Sequence, residues 1–134
     1  MIAAHVKRLS PAKVILTTFS LSEASLCEFV DLLGSGQLSD LTIITDFTVR
    51  KNKLDVLLFA HENARIFLTD VHAKVALVSN GKDDVVILST SNLNAIKRYE
   101  ASVVFYDRPS IDYFRSHLHI LLNESVRFEP NSAY

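Results

Sequence analysis

The chain has 134 residues, 49% of them hydrophobic, and a formal net charge of −1. This is the size and apolar content of one packed domain rather than a disordered chain, and the near-neutral charge excludes a global basic field, so any anion site must be local. No apolar run reaches the ~18–20 residues of a membrane span, the single Cys27 excludes an internal disulfide framework or a Cys-rich zinc site, and His5, Lys7 and Arg8 interrupt the start before a signal-peptide core can form; a cytoplasmic setting is expected.

MIAAHVKRL reads as a short helix, ended by Pro11. Lys13 to Phe19 is rich in β-branched residues and predicts a strand. Ser20 and Glu23 form an S-x-x-E capping box before an amphipathic helix, with Leu26, Phe29, Val30 and Leu33 on one face and Gly34 and Gly36 at its end. A second strand is expected over Leu41 to Asp46, and a helix from about Thr48 to Glu62 with Leu54, Leu57 and Leu58 inward. ARIFLTD gives a third strand.

HAKVALVS and DVVILST flank the Asn80-Gly81 turn, so two antiparallel strands are expected around it. Tyr99 to Asp107 is a further strand. Pro109 opens a helix that buries Ile111, Phe114, Leu118, Leu121 and Leu122. From about Asn123 to Tyr134 the sequence reads as a polar tail. The predicted order is β-α-β-α-β-β-β-β-α, an α/β fold with helices on a mixed sheet that is parallel early and antiparallel later.

The chemistry concentrates in one place. On a strand, His72 and Lys74 would share a face, roughly 6.5–7 Å apart. A Lys beside a His on an otherwise apolar strand is costly without a partner. Thr90 and Asn92 follow the hairpin and offer a hydroxyl and an amide. With Lys74 they are donors suited to phosphate oxygens. His72 can act as nucleophile or acid/base near neutral pH, and Glu100 is a candidate to hold the other imidazole nitrogen.

H-x-K on a strand, a hairpin, an S/T-x-N loop and a Glu before an apolar strand resemble the phospholipase D superfamily, whose pattern is H-x-K-x4-D, then G-S-x-N, then Glu. The resemblance extends to the strand–helix prelude and the closing helix. It implies a phospholipase D-like domain over residues 1–122, with its core from about residue 10. By that resemblance His72 matches the catalytic histidine, Lys74 the phosphate-binding lysine, and Thr90 the usual Ser. Asn92 matches the Asn, and Glu100 the residue that orients the histidine. Ser79 stands in place of the pattern's Asp and Ser89 in place of its Gly; Asp83 and Asp84, in the turn, are the candidates to substitute for that Asp. The implied activity is a metal-independent phosphodiesterase, most simply a nuclease, working through a phosphohistidine without any cofactor. Superfamily chemistry uses two histidines and this chain has one motif copy, so a site on the two-fold axis of a homodimer is implied. Small single-repeat bacterial nucleases are similar, which points to DNA or RNA rather than a membrane lipid. The competing reading is a catalytically inactive phospholipase D-like module for nucleic-acid binding or assembly.

Other residues read more plainly. His117 and His119 diverge on a helix and suggest no metal site. Cys27 is a packing residue. Gly34-Ser35-Gly36 follows a helix and is no phosphate loop. Arg50, Lys51 and Lys53 form a small basic run on a solvated helix face, or a patch that steers a nucleic-acid backbone.

Overall fold

The computed structural model describes residues 1–90 and 100–130. After helix α1 (Ile2–Arg8), strand β1 (Ala12–Thr18) leads into helix α2 (Glu23–Gly34) and strand β2 (Leu38–Asp46). Helices α3 (Phe47–Asn52) and α4 (Leu54–His61) precede β3 (Arg65–Thr69). Then come β4 (Val75–Ser79), β5 (Asp84–Ser89), β6 (Ser102–Phe105), α5 (Arg108–Glu124) and β7 (Val126–Arg127).

The strands form one mixed sheet in the order β6-β5-β4-β1-β2-β3-β7. β1, β2 and β3 are parallel neighbours, while β4, β5, β6 and β7 each join antiparallel. Strand alternation sorts the core into two layers. Leu16, Ile43, Leu68, Ala76 and Ile87 pack on the side of α1, α2 and α4. Ile44, Leu77 and Val86 face α5, whose Ile111 and Leu118 are fully buried and whose Phe114, Leu121 and Leu122 are partly so. The five residues expected inward on that helix all pack there.

Local chemistry explains most element ends. Gly36 takes φ +78 just past α2. Gly81 takes φ +84 in the β4–β5 turn, where Asn80 Oδ1 accepts from the Lys82 and Asp83 amides. Asp107 caps α5 by accepting from the Ser110 amide, with Pro109 in the first turn.

Four expectations are corrected. The cap of α2 is Ser22, which accepts from the Ser25 amide, and not Ser20; Leu21 and Leu26, at hydrophobic-staple spacing, are both buried and fix that start. On α2, Leu32 joins Leu26 and Phe29 in the core, while Val30 and Leu33 are half-buried. The helix expected from Thr48 to Glu62 is broken at Lys53 (φ −141, ψ 49), so Leu57 is buried but Leu54 and Leu58 are exposed. The chain after Asn123 is not all tail: β7 pairs with β3, the Phe128 amide donates to the Ile66 carbonyl, and Phe128 is buried in the core.

Candidate phosphate-handling site

The site is built at the carboxyl ends of the parallel strands, where an open α/β sheet most often places a ligand. His72 was expected on a strand, but β4 begins only at Val75. Thr17 is the cause. The β1–β4 ladder stops at Leu16–Ala76. Beyond it the Thr17 hydroxyl donates to the Ala73 carbonyl (2.7 Å) and accepts from the Val75 amide (3.0 Å). A side chain thus takes the place of the backbone partner, and the H-x-K segment leaves the ladder.

Asp46 holds the other end of that segment. It is buried at the end of β2. Its Oδ2 accepts from the Thr48 amide (3.0 Å) and hydroxyl (2.7 Å), and its Oδ1 accepts from the Val71 amide (3.2 Å). Burial pushes the Asp46 carboxyl up, but the bonds from Thr48 and Val71 and the nearby charge of His72 outweigh it, leaving it below the ordinary carboxylate range. Between these two anchors His72 is exposed, its ring stacked on Phe19 with centroids 4.2 Å apart and planes at 15°. Lys53 steadies the same corner: its ammonium donates to the Ser20 hydroxyl (3.1 Å) and the Leu21 carbonyl (3.0 Å), drawing the α3–α4 junction onto the loop after β1. Of the basic run, Lys53 therefore turns inward.

Lys74 lines a cavity of about 270 Å³ between α1, α2 and the sheet. Thr17 and Thr18 of β1, Ser89 of β5, Ser102 of β6 and Ser25 and Glu28 of α2 also line it. The Ser89 amide donates to the Lys74 carbonyl (2.9 Å), so the residue in place of the pattern's Gly lies directly beside the lysine. Thr90 follows. Its hydroxyl donates to the Glu100 carboxylate and accepts from the Ala101 amide (3.0 Å), and its amide donates to the Ala101 carbonyl (3.0 Å).

Two groups lie at this end of the strands: His72 beside Phe19, and Thr90 with Glu100, with Lys74 and Ser89 joined backbone to backbone between them. Glu100 engages Thr90; among the described residues no hydrogen bond links it to His72. Asn92 and Arg98 lie outside the described residues. Ser79 and Asp84 are elsewhere. They face each other across β4 and β5, about 13 Å along the strand from Val75. Asp84 pairs with Arg108 and Arg115 of α5, both at 2.9 Å, so it ties a helix to the sheet and does not enter the site.

Sequence reasoning missed Thr17, Phe19 and Asp46, and placed Lys53 on a solvated face or steering patch where it instead bonds Ser20 and Leu21. A Thr in a strand and an Asp ending one carry no signal of a partner some fifty or twenty-five residues away; the one local signal for Asp46 is an acidic residue at the cap position of the helix that follows. His117, weighed for a metal, lies against Tyr113 with ring centroids 4.4 Å apart.

No family profile and no curated protein matches the chain. Solved structures do. Polyphosphate kinase from Porphyromonas gingivalis superposes over 99% of this chain with a TM-score of 0.65 and 19% identity. TrmBL2, an archaeal chromatin protein that binds DNA, superposes over 92% with a TM-score of 0.61 and 12% identity. The chain spans 25% of the first and 49% of the second. At these identities the likeness speaks to architecture, and polyphosphate kinase is built on the phospholipase D-like fold. The seven-stranded mixed sheet flanked by helices is phospholipase D-like.

Proposed function

We propose that the protein is a metal-independent phosphodiesterase, a nuclease that acts on DNA or RNA as a homodimer. The observation that supports this reading is an exposed His72 two residues from Lys74, on a segment anchored by Asp46 and Thr17. An imidazole nitrogen of His72 attacks phosphorus and forms a nitrogen–phosphorus bond as the leaving oxygen departs. The imidazolium of the second copy's His72 gives that oxygen a proton. The same imidazole then takes a proton from water, whose oxygen displaces the first histidine from phosphorus. Two easier displacements replace one hard one. Lys74, Thr90 and Asn92 hold the phosphate oxygens and stabilise their charge. Glu100 orients His72 in the homodimer or, as its bond to Thr90 suggests, sets the hydroxyl of the phosphate loop. Among the described residues no helix is long and apolar enough to cross a membrane.

The test is cleavage of single- and double-stranded DNA and RNA in EDTA. Wild-type protein is expected to cleave, and His72→Ala to lose about 10³-fold or more of the rate with an unchanged melting temperature. Cleavage that needs a divalent metal, persists in the variant or comes from a strict monomer overturns the mechanism.

One observation favours a second reading, a non-catalytic phospholipase D-like module that binds nucleic acid. The carboxylate expected on His72 is engaged with Thr90 instead. That reading predicts no turnover and salt-sensitive binding that survives His72→Ala.

A further inference from the structure

Two residues of opposite charge line the same cavity, the half-buried Lys74 and the exposed Glu28, and among the described residues the side chain of neither is engaged. Lys74 lines it from the segment just before β4 and Glu28 from α2. Among the described residues neither makes a hydrogen bond or an ion pair, with each other or with anything else. A half-buried ammonium is more favourable with an anion beside it than without. Between the two charges the wall is apolar, formed by Leu16, Phe29, Ala76 and Ile87. The threonines offer little. The Thr17 hydroxyl already serves Ala73 and Val75, and the Thr18 hydroxyl already donates to the Ser20 carbonyl.

The space therefore suits a ligand with an anionic group at one end, an apolar body and a hydrogen-bond donor at the other. Its volume of about 270 Å³ is just below the roughly 300–1,000 Å³ of pockets for drug-sized molecules, so it fits one small unit and not a stretch of chain. A nucleotide has all three parts: a phosphate, a base, and a sugar hydroxyl or base amine.

We propose that the cavity between α1, α2 and the sheet receives one nucleotide unit of a nucleic-acid strand. Its phosphate lies at Lys74, its base lies against Leu16, Phe29 and Ile87, and a hydroxyl or amine donates to Glu28. The proposal rests on the phosphodiesterase reading for the presence of a strand at Lys74, and it is measured without turnover. A zwitterion such as phosphoethanolamine shares the two charged ends but lacks the apolar body.

The experiment is calorimetric titration of the wild-type protein with adenosine 5′-monophosphate, inorganic phosphate and phosphoethanolamine, with a short oligoadenylate as competitor. The nucleotide is expected to bind more tightly than inorganic phosphate by on the order of tenfold, because the base loses apolar surface to the cavity. The oligonucleotide is expected to displace it. Ala3→Phe, which fills the cavity from α1, and Glu28→Ala are each expected to remove the nucleotide's advantage and leave phosphate binding in place. A nucleotide no tighter than phosphate, a preference for phosphoethanolamine, an oligonucleotide that does not compete, or an advantage that survives Ala3→Phe overturns the proposal. If Ala3→Phe does not fold, the wild-type titrations decide alone. Nucleotide preference without cleavage keeps the cavity assignment and overturns the phosphodiesterase; cleavage without preference does the reverse.

Discussion

The two ends of β4 treat their polar groups in opposite ways. At the far end Ser79 faces Asp84, and Asp84 is engaged by Arg108 and Arg115. Those charges join α5 to the sheet. At the near end the polar side chains hold backbone, not each other: Thr17 and Asp46 fix the segment that carries His72 and Lys74. His72 and Lys74 are left facing solvent and a cavity. Charges paired within the fold build architecture, while the side chains of His72 and Lys74, held by their backbone and making no ion pair among the described residues, are the ones proposed to meet a ligand. Ser79, which stands where the phospholipase D-like pattern has Asp, belongs to the first end. Ser79 therefore lies beside the joint between α5 and the sheet, at the opposite end of β4 from the segment that carries His72.

That contrast can be broken by substitution. The largest stability effect is expected at Asp46. Asp46→Asn replaces one acceptor oxygen with a donor facing the Thr48 or Val71 amide, a cost of about 2–4 kcal/mol at neutral pH for a buried group left poorly paired. The carboxyl's value in the fold lies below its ordinary 3.8. Its contribution is therefore complete above that value and is lost as the pH falls through the lower folded value. Denaturant melts of both proteins from pH 7 downward should show the gap between them narrowing only below about pH 4. A gap that does not change with pH would remove the electrostatic account.

Thr17→Val comes next. It removes both bonds to the H-x-K segment at nearly constant volume and is expected to cost about 1–3 kcal/mol. Its sharper signature is local: amide hydrogen exchange at Val75 should rise well ahead of exchange in β5. Equal protection in the variant would show that the ladder, and not the hydroxyl, fixes the segment.

Asp84→Asn is expected to do least, about 1 kcal/mol, since both arginines keep partial solvent contact. Any phosphodiesterase rate and nucleotide affinity should be unchanged. A large loss of either would place Asp84 in the site and erase the distinction between the two ends of β4.

Much of the frame was legible because its causes are local. The Asn80-Gly81 hairpin, the Pro109 helix start and the 3.6-residue spacing from Ile111 to Leu122 each follow from neighbouring residues alone. The errors share the opposite character. Ser20 fits a capping box in sequence, yet its hydroxyl is taken by Lys53, 33 residues away. Lys53 ends one helix early for the same reason, which turns Leu54 and Leu58 outward. Phe128 sits in a polar stretch without periodicity, and only the open edge of β3 gives it a place in the core.

The site divides along the same line. The sequence by itself determined the residue types, their order and their single copy, because H-x-K, S-T-S-N and Glu100 lie within thirty residues of one another and flank a hairpin that any reading must fold back. Tertiary structure alone decided that His72 stacks on Phe19, that Asp46 and Thr17 hold its backbone, and that Lys74 opens onto a cavity under α1 and α2. Those contacts join residues that chain order separates, and no periodicity or motif records which strand end meets which.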